Sequence, residues 1–163
     1  MKGKMIISTV LGTLAGAAGG TAAGYYAADK NKNEKVAEKQ KRIDKFVGYF
    51  NILDAWMCLK EQNISLSEYF AECGYEKIAI YGWGKMGKHL YEELKDSKIE
   101  VAYAIDRNIS GSGEMKVYNL NDKLPEVDAV VVSATFDYDA IYEQLSDKVY
   151  CPIISLEEVV TNA

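Results

Sequence analysis

The residues whose types and spacing best fit a chemical role are three glycines, Gly82, Gly84 and Gly87, spaced as G-x-G-x-x-G. In such a loop the first glycine permits a tight turn and the second lets the backbone come close to a pyrophosphate. The third lets a helix pack against a strand. The phosphate would lie on the free N–H groups at the helix N-terminus, where the helix dipole favours negative charge. The spacing alone is weak evidence, so the flanking elements decide its meaning.

The flanking segments have the order strand, loop, helix that this motif needs. An apolar run, Lys77–Tyr81, precedes the loop, and an amphipathic stretch, Lys88–Leu94, follows it. A second predicted strand, Glu100–Ile105, ends in Asp106, nineteen residues after Gly87. A carboxylate at that place would accept hydrogen bonds from the ribose hydroxyls of an adenosine. The sequence therefore predicts a nucleotide-binding loop.

Other residues of the loop and of neighbouring strand ends are candidates for contact with a cofactor. Lys85 could neutralise phosphate, and Arg107 could stack on adenine or reach a 2′-phosphate, which leaves both NAD and NADP open. Ser133 and Thr135 end the fourth predicted strand, where they either face the ligand or make strand-end hydrogen bonds. The predicted cofactor-binding residues are Gly82, Trp83, Gly84, Lys85, Met86, Gly87, Asp106, Arg107, Ser133 and Thr135.

The rest of the C-terminal part predicts further strands and helices of the same α/β type. The crossover at residues 109–114 is glycine-rich and too short for a full helix. The predicted elements are a third strand at Met115–Tyr118, a buried fourth strand at Asp128–Thr135, a helix at Asp137–Leu145, a fifth strand at Val149–Ile154 and a helical turn at Leu156–Val160. We therefore expect a small parallel sheet of about five strands.

From Gly74 onward the chain resembles the NAD(P)-binding Rossmann-like domains attached to bacterial sugar-nucleotide and surface-polysaccharide enzymes. These include nucleoside-diphosphate-sugar epimerase/dehydratase-like proteins and sugar acyltransferases. The matching segments are Ile78–Gly87, Ala104–Asn108 and Cys151–Glu158. The resemblance implies a Rossmann-like fold with NAD or NADP as cofactor. Trp83 departs from it, because the family pattern usually has a small residue there, and these 163 residues include no separate catalytic domain.

An uncharged stretch near the N-terminus, Met5–Ala28, is long enough to cross a membrane as a helix. It resembles the glycine-rich spans of small bacterial YtxH-like proteins. Four glycines recur every fourth residue along it, a spacing that lets two membrane helices pack closely. They are Gly12, Gly16, Gly20 and Gly24. A cleaved signal peptide with a small-residue site at Thr21–Ala23 is the main alternative.

Charge favours an uncleaved anchor that leaves the C-terminal part in the cytoplasm. Seven basic residues follow the span within residues 30–45, and only Lys2 and Lys4 precede it. Residues 1–45 carry nine basic and four acidic residues, a net charge of +5, whereas residues 46–163 carry ten and twenty, or −10. An acidic main domain is a poor match for nucleic acid, so no nucleic-acid partner is expected.

A helical stalk is predicted from Asn33 to Gln62. Its apolar residues recur at three- and four-residue steps and include Val36, Ile43, Phe46, Val47, Phe50, Leu53 and Met57. Its later part could dock on the domain or on a second copy of itself, so a homo-oligomer through the stalk and the glycine stripe is an open prediction. The predicted division is an anchor at 1–32, a stalk at 33–73 and a nucleotide-binding domain at 74–163.

No catalytic or metal-binding residue is predicted. Tyr91 and Lys95 have the spacing of a dehydrogenase pair but fall on the helix after the loop, far from where a nicotinamide would lie. His89, the only histidine, lies on the same helix and is expected on its surface. The three cysteines stand alone, without the spacing of a metal site.

Three functions fit these observations. The first is a membrane-anchored, cytoplasm-facing nucleotide-binding module without catalysis, which senses or scaffolds near surface-polysaccharide or sugar-nucleotide metabolism. The second is an oxidoreductase or epimerase-type subunit completed by a partner, and the third is a ligand-free assembly domain. The absence of catalytic residues favours the first over the second, and Gly84 with Asp106 favours it over the third. CoA and a nucleotide-sugar stay open as ligands beside NAD and NADP.

Overall fold

The structure is a computed structural model that describes the backbone of residues 3–108, 111–112 and 115–163 and the side chains of residues 32–108 and 115–163. The chain divides into two compact units, residues 1–47 and 48–163. The helices are α1 (Gly3–Glu61), α2 (Leu66–Glu72), α3 (Lys85–Leu94), α4 (Tyr138–Ser146) and α5 (Leu156–Asn162). The strands are β1 (Lys77–Tyr81), β2 (Glu100–Ile105), β3 (Gly111–Ser112), β4 (Lys116–Tyr118), β5 (Ala129–Val132) and β6 (Ile153–Ser155).

The first unit is helical over its described residues, and nearly all its described side chains, from residue 32 to residue 47, are exposed. The predicted membrane span at Met5–Ala28 and its glycine stripe fall on residues whose side chains lie outside the described part. Among the described residues, no helix is long and apolar enough to cross a membrane. The anchor therefore stays a prediction.

The second unit is built on one sheet, whose strand order over the described residues is β3-β4-β2-β1-β5-β6. Five of these strands are parallel, and β3 pairs antiparallel with β4. The prediction of an α/β fold with about five parallel strands is confirmed. Strand β3 was not predicted, because two residues, a glycine and a serine, carry no periodicity. The rest of the predicted crossover, residues 109–110 and 113–114, lies outside the described residues.

Alternate residues of the central strand β1 enter two separate cores. Ile78 and Ile80 pack in a cluster with residues of α2, α3, α5 and the end of α1, whereas Ala79 and Tyr81 pack on the opposite face with residues of α4. Both faces of the sheet are therefore covered. This explains why β1 and β5 are apolar runs rather than alternating sequences.

The segment before β1 is fixed by the ends of α2. The Ser65 side chain accepts a hydrogen bond from the Ser67 N–H and so caps the helix. Gly74 ends it at a φ of +74°, and the next residue, Tyr75, donates its N–H to the Phe70 carbonyl at 2.8 Å. This is a left-handed glycine stop of the kind that commonly ends helices. It turns the chain directly into the central strand.

Three predicted boundaries are wrong by a few residues. Helix α3 begins at Lys85, inside the glycine loop, rather than at Lys88. Strand β5 ends at Val132 instead of Thr135, because the chain turns at Ala134 into a 3₁₀ turn, Thr135–Asp137. Strand β6 begins only after Pro152, whose missing N–H cannot join the ladder, although its carbonyl accepts from Val130.

Candidate functional site

The glycine loop begins at the carboxyl end of β1, where Gly82 makes a turn that a side chain would not allow. Its φ is +96°, and a Cβ added there would lie 2.7 Å from Ser133 Oγ. The Gly82 N–H donates to the Ile105 carbonyl at 2.8 Å, which ties the loop to the end of β2. Both the backbone conformation and the available space therefore require glycine at this position.

Gly87 is required by the close packing of α3 against the loop. A Cβ added there would lie 2.1 Å from the Gly82 carbonyl oxygen and 3.1 Å from Ile80 Cγ2. The nearest obstacle is backbone, which cannot rotate away as a flexible side chain can. The first turn of α3 is therefore held against the end of the central strand.

Gly84 differs from the other two glycines because nothing in its described surroundings requires it. It is the N-cap residue of α3, with φ −82° and ψ −162°, an extended conformation open to any residue. A Cβ added there would meet no described heavy atom within 4 Å. Its place at the N-terminus of α3 borders the helix N–H groups that have no partner within the helix.

Asp106 lies against the loop, as its place at the end of β2 implies. One carboxylate oxygen accepts a hydrogen bond from the Trp83 N–H at 2.8 Å, and the other accepts from the Asn108 N–H at 2.8 Å. The carboxylate therefore holds in place the peptide group that joins Gly82 to Trp83. The sequence spacing predicted that Asp106 lies near the loop, but it could not show that its carboxylate oxygens accept hydrogen bonds from the loop backbone.

Ser133 and Thr135 have different positions, although the sequence placed them together at a strand end. Ser133 is buried and donates its hydroxyl hydrogen to the Gly82 carbonyl at 2.8 Å. Its own N–H donates to the Tyr81 carbonyl at 2.9 Å, so it joins the two chain segments after β1 and β5. Thr135 is half-buried and opens the 3₁₀ turn beyond the strand.

The other predicted contact residues split between core and surface. Trp83 is half-buried and makes an edge contact with Tyr91 at 5.6 Å between ring centroids, so it packs on the protein. Met86 is buried in the core and can offer a ligand only its backbone. Lys85 and Arg107 are exposed, one at the first residue of α3 and the other beside Asp106.

Tyr81 is a residue of this region that the sequence analysis did not single out. It is 3% exposed at the end of β1, and its hydroxyl has no hydrogen-bond partner among the described residues. Burial raises the pKa of Tyr81 above its usual range, and the nearby Arg107 guanidinium opposes part of that rise. The sequence did contain a signal for this residue, since Tyr81 carries a hydroxyl at the end of an otherwise apolar strand and directly precedes Gly82.

The helix that follows the loop carries the residues that the sequence analysis set aside. His89 is exposed on α3. Tyr91 packs on Trp83, and Lys95 forms an ion pair with Glu92 one turn earlier. The described contacts of Tyr91 and Lys95 are therefore with Trp83 and Glu92 and not with each other. Within the described residues, no group of three or more His, Cys, Asp or Glu side chains could hold a metal ion.

The carboxyl ends of β1, β2 and β5 thus bring Gly82, Asp106 and Ser133 together. The strand order places β2 on one side of β1 and β5 on the other, so chain connectivity reverses direction at β1. Open parallel sheets bind ligands in the crevice at such a switch point. The fold and this loop define the class as an α/β domain with a glycine loop at the switch point. Comparison with protein-family models, with curated proteins and with solved structures finds no match.

Proposed function

We propose that residues 74–163 are a Rossmann-like domain that binds a nucleotide, NAD or NADP, and that the chain carries out no catalysis of its own. The observation that carries the proposal is Gly84. Neither its backbone conformation nor its surroundings require glycine, yet it lies at the helix N-terminus where a phosphate would need close approach. The described atoms leave space for a side chain at Gly84, and a phosphate that needs this space would explain why the residue is glycine.

The neighbouring residues support the same ligand. Phosphate oxygens would accept hydrogen bonds from the first N–H groups of α3, with exposed Lys85 beside them. Asp106, at the end of β2, would receive the adenosine ribose. An acidic residue there favours NAD, whereas Arg107 would accept the 2′-phosphate of NADP. Asp106 and Arg107 are adjacent, so the choice between NAD and NADP requires a measurement of binding to each cofactor.

In the cell, we propose a module anchored to the membrane by residues 5–28 with its nucleotide-binding domain in the cytoplasm. The basic residues that follow the uncharged stretch support this orientation. The resemblance to domains attached to polysaccharide enzymes suggests a sensing or scaffolding role near sugar-nucleotide metabolism. An epimerase- or oxidoreductase-type subunit completed by a partner is the enzyme alternative.

A ligand-free assembly domain is the second candidate, and one observation favours it. Polar groups at the switch point satisfy one another: Asp106 binds the Trp83 and Asn108 N–H groups, and Ser133 binds the Gly82 carbonyl. A loop stabilised in this way needs no ligand to keep its shape. This candidate leaves the open space at Gly84 unexplained.

The test is calorimetric titration of the full chain in mild detergent with NAD, NADP, CoA and a nucleotide-sugar. We expect micromolar binding of one nicotinamide cofactor, and its loss in Gly84→Val, since the added branched side chain blocks the approach of phosphate. Gly84→Val meets no described atom near its Cβ, so folding should persist and thermal unfolding should show it. Tyr91→Phe is the control and should bind as wild type does. Equal affinity of wild type and Gly84→Val would refute the site.

A further inference from the structure

The part of α1 that belongs to the second unit, residues 48–61, has apolar side chains on two faces. One face is in the core, where Ile52 and Trp56 are 5% and 6% exposed. On the other, Phe50, Leu53 and Met57 are 66%, 40% and 60% exposed. Exposed apolar side chains grouped on one face of a helix mark an interaction surface. The exposed face therefore calls for a partner beyond the described residues of one chain.

The exposed residues have the spacing of a coiled-coil interface. Phe50, Leu53 and Met57 follow one another by three and four residues, and Ile43 and Phe46, exposed in the first unit, precede them at the same alternation. Such alternation gives the a and d positions of heptads. We name Ile43, Phe46, Phe50, Leu53 and Met57 the α1 seam. The next positions of the pattern, Lys39 and Lys60, are charged and bound it at both ends.

Beside the seam the second unit has a groove of about 460 Å³ between α1 and α3. Leu53 and Met57 contribute apolar lining from α1, and His89 lies across from them on α3. An ion pair of Lys60 with Glu93, 2.7 Å long, stands at the same groove. An apolar centre with a polar rim is the usual anatomy of a protein interface.

We propose that two copies of this chain pair in parallel through the α1 seam as a short coiled coil. A seam of this kind is complementary to itself about a two-fold axis. Five side chains with roughly 100 Å² exposed each would bury about 1,000 Å² over two chains, near the lower limit of specific interfaces. We therefore expect a dimer of micromolar strength.

A membrane surface is the alternative occupant of the seam. The net charge of −10 on residues 48–163, which include Phe50, Leu53 and Met57, repels anionic lipids, whereas Ile43 lies among the basic residues of 30–45. The charge therefore disfavours a membrane at the C-terminal part of the seam. Pairing itself does not rest on the proposed nucleotide function. The parallel orientation rests on the proposed membrane anchor, because an anchor in each chain would put both N-termini at one membrane.

Sedimentation equilibrium of the full chain in density-matched detergent tests the pairing. Phe50→Ser with Met57→Ser should weaken the dimer by about a hundredfold or more, since four apolar side chains leave the interface. Circular dichroism should stay unchanged because these residues are exposed. Tyr150→Ser, at a fully exposed position elsewhere in the second unit, is the control and should dimerise as wild type does. A monomeric wild type at tens of micromolar, or an unweakened double variant, would overturn the proposal.

Disulfide trapping tests the register and the orientation. In a background without Cys58 and Cys73, which are exposed, Leu53→Cys should cross-link to its counterpart on mild oxidation. Ala55→Cys, also exposed but about 160° around the same helix, should not. A dimer that depends on Phe50 and Met57 without the Leu53→Cys cross-link would overturn the parallel arrangement. Loss of nucleotide binding in any of these variants has no bearing on pairing.

Discussion

Two tyrosines buried on the same face of the sheet should respond in opposite ways to loss of the hydroxyl group. Tyr103, 1% exposed, donates to the Pro125 carbonyl at 2.7 Å. Tyr81, 3% exposed, has a hydroxyl for which the described part of the chain offers no hydrogen-bond partner. Replacement by Phe keeps the ring in both cases and removes only the oxygen. The pair therefore isolates the effect of hydrogen bonding in one core.

We expect Tyr103→Phe to lower the free energy of unfolding by about 1 kcal/mol, the net value of a typical hydrogen bond. The carbonyl left behind belongs to an exposed residue, Pro125, so water can reach it and the cost stays near that figure. Tyr81→Phe removes an oxygen that lost its hydration and gained nothing, so it should raise stability by about 0.5 kcal/mol. The two variants should differ by about 1.5 kcal/mol.

Urea unfolding followed by tryptophan fluorescence measures this difference, because Trp56 and Trp83 both lie in the second unit. The melting temperatures should separate by about 6 °C for a domain of roughly this size. A Tyr81→Phe variant destabilised as much as Tyr103→Phe would refute the reasoning. It would mean that the Tyr81 hydroxyl has a bonding partner in solution.

Two further predictions concern the loop glycines and the start of the central strand. In urea unfolding, Gly87→Ala should lower the free energy of unfolding by about 3 kcal/mol or more, because its Cβ would lie 2.1 Å from a backbone oxygen. Gly84→Ala should change the free energy of unfolding by less than about 0.5 kcal/mol. Similar losses in the two variants would contradict the assigned packing. Asp128 accepts N–H hydrogen bonds of 2.9 and 2.7 Å at the start of β1, which lower the pKa of its carboxyl group. A lowered pKa contributes stability above about pH 4 that disappears as the pH falls through the folded value, so the urea midpoint of Asp128→Asn should lie below wild type at pH 7 and approach it towards pH 3. A constant gap over that range would exclude the carboxylate as its source.

The part of the fold that the sequence predicted well depends on local patterns. The apolar run before Gly82, the G-x-G-x-x-G spacing and the strand that ends at Asp106 are each readable within a few residues. Parallel strands place their carboxyl ends at one edge, so these local readings also located the candidate site.

Contacts between distant segments could not be read in the same way. The bonds of Asp106 to Trp83 and of Ser133 to Gly82 join residues 23 and 51 positions apart. In α1 the three- and four-residue periodicity selected the face that is exposed, whereas Ile52 and Trp56 form the buried face. On a helix with apolar residues on two faces, periodicity alone cannot decide which face meets the core.

The unequal demands on the three loop glycines bear on how the motif would change over time. Gly82 and Gly87 are held by the fold itself, so descendants that abandoned the ligand would still be selected to keep them. The fold does not require Gly84, so this position would change to other residues in any relative whose loop does not bind the proposed phosphate. Among relatives, Gly82 and Gly87 would therefore accompany the fold, and Gly84 would accompany the proposed binding of phosphate.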